Sequence, residues 1–537
     1  MTITVTGFPA SDPIPAIRLN VLLGQGIRSP GTGVRSCVMV GQRAHAEGAA
    51  AGGAALGTAT DKQLYEVYSA EEAAGLWGRG SNMHRSALSL FAAWRGITLY
   101  GVSLARGGAG GGAAGTHGTA RSVLAGGVAT VGNVTITIGD ATPITVAAIV
   151  GEAFAAIGAR IEIAIDTATD LPVWCTYAAG NVDLFAKSNG VGSTGIKFRI
   201  DAGTTSFTFD GAATDSGALA AGTEGTEGAG PSNVWATACD VIEASDLLFT
   251  YVLPTAWTDG VLNVTGGVAD MIMDDCTADI GKRMHMVIGH NGTVADALTL
   301  ADAFDDETTA VDEIGFRAQL VWASYNEAQP WEIGAAVLGV RAEAESSNIN
   351  SNWIGFSGAT IPGSCGLHKC VSSANYPTNA NFTSCLNGGV TPIKYDTEDD
   401  TLTVVRSVVC KHLTAGLADY RCRDTNVAVV PDFVALGLTA SLQDEYDGFT
   451  ITNDVDGAPP DNLGSYVTTP ILIRDSIARL LKTDYELPGY ICNVDANAAS
   501  LVVIRNASNS QRADAEIPIE VVRHLYQIGG NVREVGA

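Results

Sequence analysis

The residues in this chain able to hold a metal or act as a nucleophile are thinly spread. The densest group is Cys365, Cys370, Cys385, Cys410 and His412. A structural zinc site needs two thiolates close enough in sequence to reach one tetrahedral ion, and the tight C-x-x-C pair that does this is missing. Gly355-Phe356-Ser357-Gly358-Ala359 fails the G-x-S-x-G nucleophile elbow at its last position. Gly110 to Gly115 spells G-x-G-x-x-G after a strand, but Thr116–Gly127 shows no helical stripe for a phosphate to sit on, so it reads as a linker. The acidic runs Asp270–Asp279, Asp302–Glu307 and Glu398–Asp400 read as solvated faces or turns. Asp454-Val455-Asp456-Gly457 is half a calcium loop, with its glycine too early and no closing glutamate. An enzyme would have to draw on His285, His290 and Asp259. No catalytic residue, cofactor or metal is expected.

The elements that would position such groups are clear. Between Gly230 and Ala344, helical segments alternate with apolar runs too short for buried helices: Leu247–Leu253, Met284–Ile288 and Phe316–Ala323. That is the pattern of βαβ units around a parallel sheet covered on both faces. Pro330 stands where a helix begins, a position at which its missing N–H costs nothing. Upstream, Ser36–Gly41 reads as a buried strand. It is followed by the strand Leu64–Tyr68, a Ser69/Glu72 capping box, the helices Ala70–Trp77 and Asn82–Trp94, and the strand Ile97–Leu104. The fold class is therefore α/β: a mostly parallel sheet with helices on both faces.

Two Gly/Ala-rich joints, Gly107–Gly118 and Gly211–Gly230, enclose a segment of different composition. Asn133–Ile138, Val173–Tyr177, Val182–Lys187 and Gly195–Ile200 read as short strands and Thr145–Ile157 as a helix, an inserted α+β domain. Its joints suggest that it could be removed without unfolding the core. At the N-terminus, prolines 9, 13, 15 and 30 isolate one alternating strand with Ile17, Leu19, Val21 and Leu23 on one side. It pairs either with the edge of its own core or with a neighbouring molecule. After residue 345 the pattern loosens. Thr401–Val409 reads as a strand and Leu463–Leu481 as a helix carrying Arg474 and Arg479, with Lys482 just beyond. Strand-like stretches containing Leu501, Val503, Ile517, Ile519 and Val521 close the chain, with Pro518 confining the last to a sheet edge.

Composition narrows the function further. At 537 residues, several domains are expected, and 46% apolar with 16% charged residues is ample for their cores. A net charge of −26 disfavours phosphate backbones and anionic membranes, so neither direct nucleic-acid binding nor membrane insertion is expected. The most apolar stretch, Thr145–Ile165, is interrupted by Glu152, Arg160 and Glu162. The opening Met-Thr-Ile-Thr-Val-Thr-Gly has no leader pattern, and a reducing compartment with free thiols follows as the expectation.

Two stretches carry a family resemblance. Tyr65–Leu104 runs from a strand through Ser-x-x-Glu-Ala-Ala, an aromatic, Gly-x-Gly-Ser and a long helix into a second strand. Asn133–Ile200 includes Ala186-Lys187-Ser188-Asn189-Gly190 leading into a strand. With Gly41-Gln42-Arg43 and Ile14-Pro15-Ala16, these resemble contractile-tail sheath proteins of the Mu-like phage branch over roughly the first 350 residues; the remainder is similar only in plan. The resemblance implies a structural subunit that stacks as helical rings around an inner tail tube and contracts to drive the tube through a host envelope. Terminal arms would exchange strands between subunits, with baseplate and tail-terminator proteins as further partners.

The implied layout is an N-terminal arm (1–35), a core (36–106 with 231–350), an outward insertion (107–230), a tube-facing domain (351–499) and a C-terminal arm (500–537). Arg474, Arg479 and Lys482 would face the tube. The particle would be a virion tail assembled in the host cytoplasm. The alternatives are an α/β enzyme with a pocket at the strand ends of 230–344, or another virion structural protein.

Overall fold

The computed structural model describes residues 35–44, 57–104, 115–126, 130–220, 222–223, 234–277, 280–305, 314–347, 358–396, 401–414, 416–455, 459–460 and 463–524. Its centre is a nine-stranded sheet in the order Ala359–Ile361, Leu402–Val404, Val390–Tyr395, Ala318–Trp322, His285–His290, Tyr251–Pro254, Ser36–Gly41, Thr98–Ser103, Leu64–Val67. The six strands from Val390–Tyr395 to Thr98–Ser103 are all parallel. Leu64–Val67 at one end, and Leu402–Val404 with Ala359–Ile361 at the other, add antiparallel.

Alternation along Ser36–Gly41 shows why both faces must be covered. Cys37 and Met39 join one apolar cluster with the helices Asn82–Ala93 and Pro330–Ser347. Val38 and Val40 join the other, with the helices Val234–Glu243, Val268–Asp275 and Val294–Phe304. The helix starts are locally encoded. Ser69 Oγ accepts from the Glu72 N–H at 3.2 Å, and the Glu72 carboxylate accepts from the Tyr68 N–H at 2.8 Å. Thr293 and Asp296 form a complete capping box.

The insertion leaves the core after Thr98–Ser103 and returns at Val234. It holds two four-stranded antiparallel sheets, ordered Phe207–Phe209, His117–Gly126, Asn181–Asn189, Val173–Ala178 and Thr214–Ala218, Lys197–Asp201, Gly132–Ile138, Ile144–Ala148. One apolar cluster runs through both sheets and through Ile157, Ile161 and Ile165 of the helix Phe154–Thr167. The expected helix at Thr145–Ile157 is a strand for its first half, because Ile144–Ala148 pairs back on Gly132–Ile138 as a hairpin. The insertion also shares part of its apolar interior with the core. Trp331, from the first turn of a core helix, is buried in the insertion's apolar cluster and lies 5.7 Å, centroid to centroid, from Trp257.

Two expectations about the C-terminal third meet a different arrangement within the single chain. Residues 359–404 belong to the main sheet, so no domain boundary falls at 350/351. The segment 500–524 is not a free arm. Val502–Arg505 pairs with Ala513–Glu516 and Glu520–Val521 pairs with Ile491–Cys492, both within the chain. Leu501 and Ile519 are buried, with Val503 and Ile517 packed alongside, in a cluster with the helices Thr425–Tyr446 and Pro470–Leu480; Val521 is buried against Val429 and Val430. The Leu463–Leu481 helix starts late, at Pro470, where Thr469 caps it.

Candidate functional site

The groups that could do chemistry do not converge. Among the described residues no cluster of three or more His, Cys, Asp or Glu could hold a metal ion. Cys365, Cys370, Cys385 and Cys410 are all buried, and burial pushes the Cys365 and Cys385 thiols up to about 12. A thiol in that range is protonated at neutral pH and is a poor nucleophile. His412 lies between carboxylates, with Nε2 3.1 Å from Asp302 and Nδ1 3.1 Å from Asp305. Burial lowers its pKa, but the hydrogen bonds to Asp305 and to the Cys410 carbonyl outweigh this and hold it above the ordinary value.

His285 and His290 stand at opposite ends of one strand. His290 Nδ1 accepts from the Gly292 N–H at 3.2 Å, a local turn contact. His285 belongs to a buried ion pair. Arg317 grips Asp432 in two-pronged fashion, Nη1 to Oδ2 at 2.7 Å and Nη2 to Oδ1 at 2.9 Å, and His285 Nε2 lies 2.8 Å from Oδ2. Burial depresses the His285 pKa, so the ring is neutral at pH 7. Burial alone would raise Asp432, but the Arg317 guanidinium and the His285 hydrogen bond hold it well below the usual carboxylate range. Asp432 sits in Thr425–Tyr446, the one described helix long and apolar enough to cross a membrane. That helix is instead packed into the protein and clamped to the sheet by charge.

Two further buried networks mark seams. Arg341 bonds Glu345 at 2.7 Å and Gln319 at 2.7 Å. The Tyr251 hydroxyl donates to the other Glu345 oxygen, and the guanidinium lies over the Tyr251 ring. Across the insertion, Arg85 bonds both Glu332 and Asp140. Each is a fixing device, linking elements far apart in sequence.

The expected tube-facing cations are each exposed, and each already has a carboxylate. Arg474 pairs with Asp475 at 2.9 Å, Arg479 with Glu445 at 2.7 Å and Lys482 with Asp495 at 2.5 Å. The arm residues Ile17, Leu19, Val21 and Leu23 and the Gly110–Ala114 stretch lie outside the described residues.

No protein-family model matches this sequence, and no curated protein matches it. Among solved structures, the chain aligns with the sheath tail protein of Desulfitobacterium hafniense at 13% identity, over 94% of this chain and 100% of that one, with a TM-score of 0.44. For the sheath tail protein of Listeria innocua the figures are 13%, 93%, 94% and 0.45. For the contracted helical sheath of the anti-feeding prophage they are 10%, 97%, 99% and 0.41. All three scores lie below 0.5, and the functional reading stands on the chain's own residues.

Sequence reading missed Asp432, Asp140 and Glu332. Asp432 had a signal, a single acid inside the apolar run Val427–Leu438. A lone buried charge implies a partner, although not which one.

Proposed function

We propose that this chain is the structural subunit of a contractile tail sheath of the Mu-like branch, polymerising as helical rings around an inner tube and contracting to drive it through a host envelope. The observation that carries the reading is the order of elements in Tyr65–Leu104. There a strand, a Ser-capped helix, Gly-x-Gly-Ser, a long helix and a strand resemble the corresponding sheath segment. An insertion emerging between two halves of one α/β core is consistent with it.

In this reading the insertion projects outward and Arg474, Arg479 and Lys482 face the tube, exchanging their present carboxylates for those of the partner. Residues 1–35 act as an arm. Ile17–Gly33 spans about 55 Å when extended, at roughly 3.3 Å per residue, so it reaches a neighbouring subunit. There the added strand gains affinity from backbone hydrogen bonds and register from Ile17, Leu19, Val21 and Leu23. The C-terminal stretch, 500–537, is the second candidate arm in this reading. Baseplate and terminator proteins complete the partner set, the particle is a virion tail assembled in the host cytoplasm, and the role is not enzymatic.

Electron microscopy of the purified chain tests the proposal. Long hollow cylinders are expected from the full chain. A chain lacking Met1–Gly24 is expected to remain folded, with an unchanged melting midpoint and no cylinders. A full-length protein that stays monomeric under every assembly condition, alone or with tube, would remove the reading. Ordered cylinders from the truncated chain would remove the arm.

A further inference from the structure

The seam between insertion and core holds two carboxylates on one guanidinium. Arg85, from the helix Asn82–Ala93, donates from Nε to Glu332 Oε1 at 2.5 Å and from Nη2 to Asp140 Oδ1 at 2.8 Å. Asp140 is supplied by the insertion, in the turn between Gly132–Ile138 and Ile144–Ala148. Glu332 is supplied by the first turn of Pro330–Ser347. The Asp140 and Glu332 side chains are 3% and 2% exposed. With both acids ionised the cluster carries a net charge of −1, with both carboxylates shielded from water, an arrangement that low polarity penalises strongly.

The surrounding charges are engaged elsewhere. Arg79 pairs with Asp170 and Glu71, and the Asp170 carbonyl accepts from Arg85 at 3.4 Å. Lys187 Nζ donates to the Thr169 carbonyl at 2.7 Å. Lys197 Nζ donates to the Asn326 carbonyl at 2.6 Å, with Glu327 nearby. His84 is kept neutral by burial, its pKa lowered to about 4. From the 363–368 loop, Gly366 faces Asp140 Oδ2 with bare backbone, and His368 is tied through its carbonyl to Asn326.

The two acids are not equivalent. Glu332 Oε2 accepts the Gln329 N–H at 2.8 Å in the first turn of its helix. Asp140 has its own backbone N–H and a share of one guanidinium nitrogen. We propose that this seam is a proton-operated joint, in which Asp140 takes up one proton per subunit below neutrality, removing the excess buried charge and tightening the insertion onto the core. Burial and the Glu332 charge, only partly offset by Arg85, push the Asp140 pKa up to about 7. When the joint opens, the residue meets water and returns to about 3.9. A folded value above the open one means that the stabilisation is complete below about pH 4 and is lost as pH rises through about 7.

Hydrogen-exchange mass spectrometry of the full chain tests this, following peptides over 139–148 and 329–338 from pH 5 to 8 with intrinsic exchange corrected. Asp140→Asn mimics the protonated acid. The ratio of its closing constant to that of the wild type should rise about tenfold per pH unit between pH 5 and 7, then level off. Glu332→Gln leaves Arg85 to Asp140 alone and should flatten the wild-type pH profile of the same peptides. Wild type and Asp140→Asn running parallel within twofold across the range would overturn the proposal. If Asp140→Asn does not fold, an unchanged slope in Glu332→Gln overturns it, and a flattened slope supports it.

Discussion

Replacing Asp432 by asparagine removes the charge but not the shape of the residue that ties the Thr425–Tyr446 helix to the sheet. Arg317, with its side chain 4% exposed, would then face a neutral amide in place of the carboxylate it now grips at 2.7 and 2.9 Å. Breaking a buried pair from one side costs about 3–5 kcal/mol, because the surviving charge is left uncompensated. That is roughly two to four orders of magnitude in the folding constant, a large share of the stability of an ordinary domain. Removing both charges together, as Arg317→Met with Asp432→Leu, should recover most of the loss, since two apolar side chains of similar size need no compensation. The assay is urea unfolding at pH 7 followed by near-ultraviolet circular dichroism. Asp432 is held below its unfolded value, so its ionisation stabilises the fold above about pH 3.9 and ceases to do so as pH falls toward the folded value. The wild-type advantage over Asp432→Asn should therefore shrink in strong acid and be flat from pH 6 to 8. A loss below about 1 kcal/mol, or a double variant as unstable as the single one, would refute the claim that charge compensation holds this seam.

Deleting Thr119–Asp210 is expected to give aggregated or poorly folded protein, because Trp331 and Trp257 lose their cover; a soluble product with native-like melting contradicts the shared interior. Gly289→Ala should lower the urea midpoint by an amount equivalent to about 1–3 kcal/mol, since its Cβ would lie 2.0 Å from the Pro330 carbonyl oxygen; no measurable change would show that the strand and helix can separate freely. Reversing the charge of Arg474, Arg479 and Lys482 together should weaken sedimentation with inner tube in a salt-dependent way and leave circular dichroism unchanged. Normal sheathing by that variant removes the tube-facing assignment.

The parts of the fold that were legible in the sequence are those whose cause is local. Pro330 begins its helix, Ser69 with Glu72 starts another, and short apolar runs between helical segments became the strands Tyr251–Pro254, His285–His290 and Ala318–Trp322 of a parallel sheet. Misreadings arose where periodicity carried no information. The Thr425–Tyr446 helix went unread: its apolar residues do not gather on one side and Pro431 sits within it, because it is covered on several faces at once. The pattern over Thr145–Ile157 suggests helix because a continuous apolar run has no period, and only the partner strand shows that its first residues extend the strand Ile144–Ala148.

The ionic seams were hidden for a different reason. Arg85, Asp140 and Glu332 lie 55 and 192 positions apart in sequence, and His285 and Arg317 lie 147 and 115 positions from Asp432. Each charge alone reads as a surface residue of an acidic protein. Only Asp432 announced itself, because an acid within an apolar helix must be neutralised or paired. That asymmetry sets what can be read from a single chain. Apolar burial leaves a repeating pattern along the sequence, because every turn of a helix or pleat of a strand must face the same core. A buried ion pair is satisfied once, at one place, by a residue that the fold brings from elsewhere. Here the two best-defined pairings join the insertion to the core and the C-terminal helix to the sheet, where the order of elements in sequence says least about their contacts.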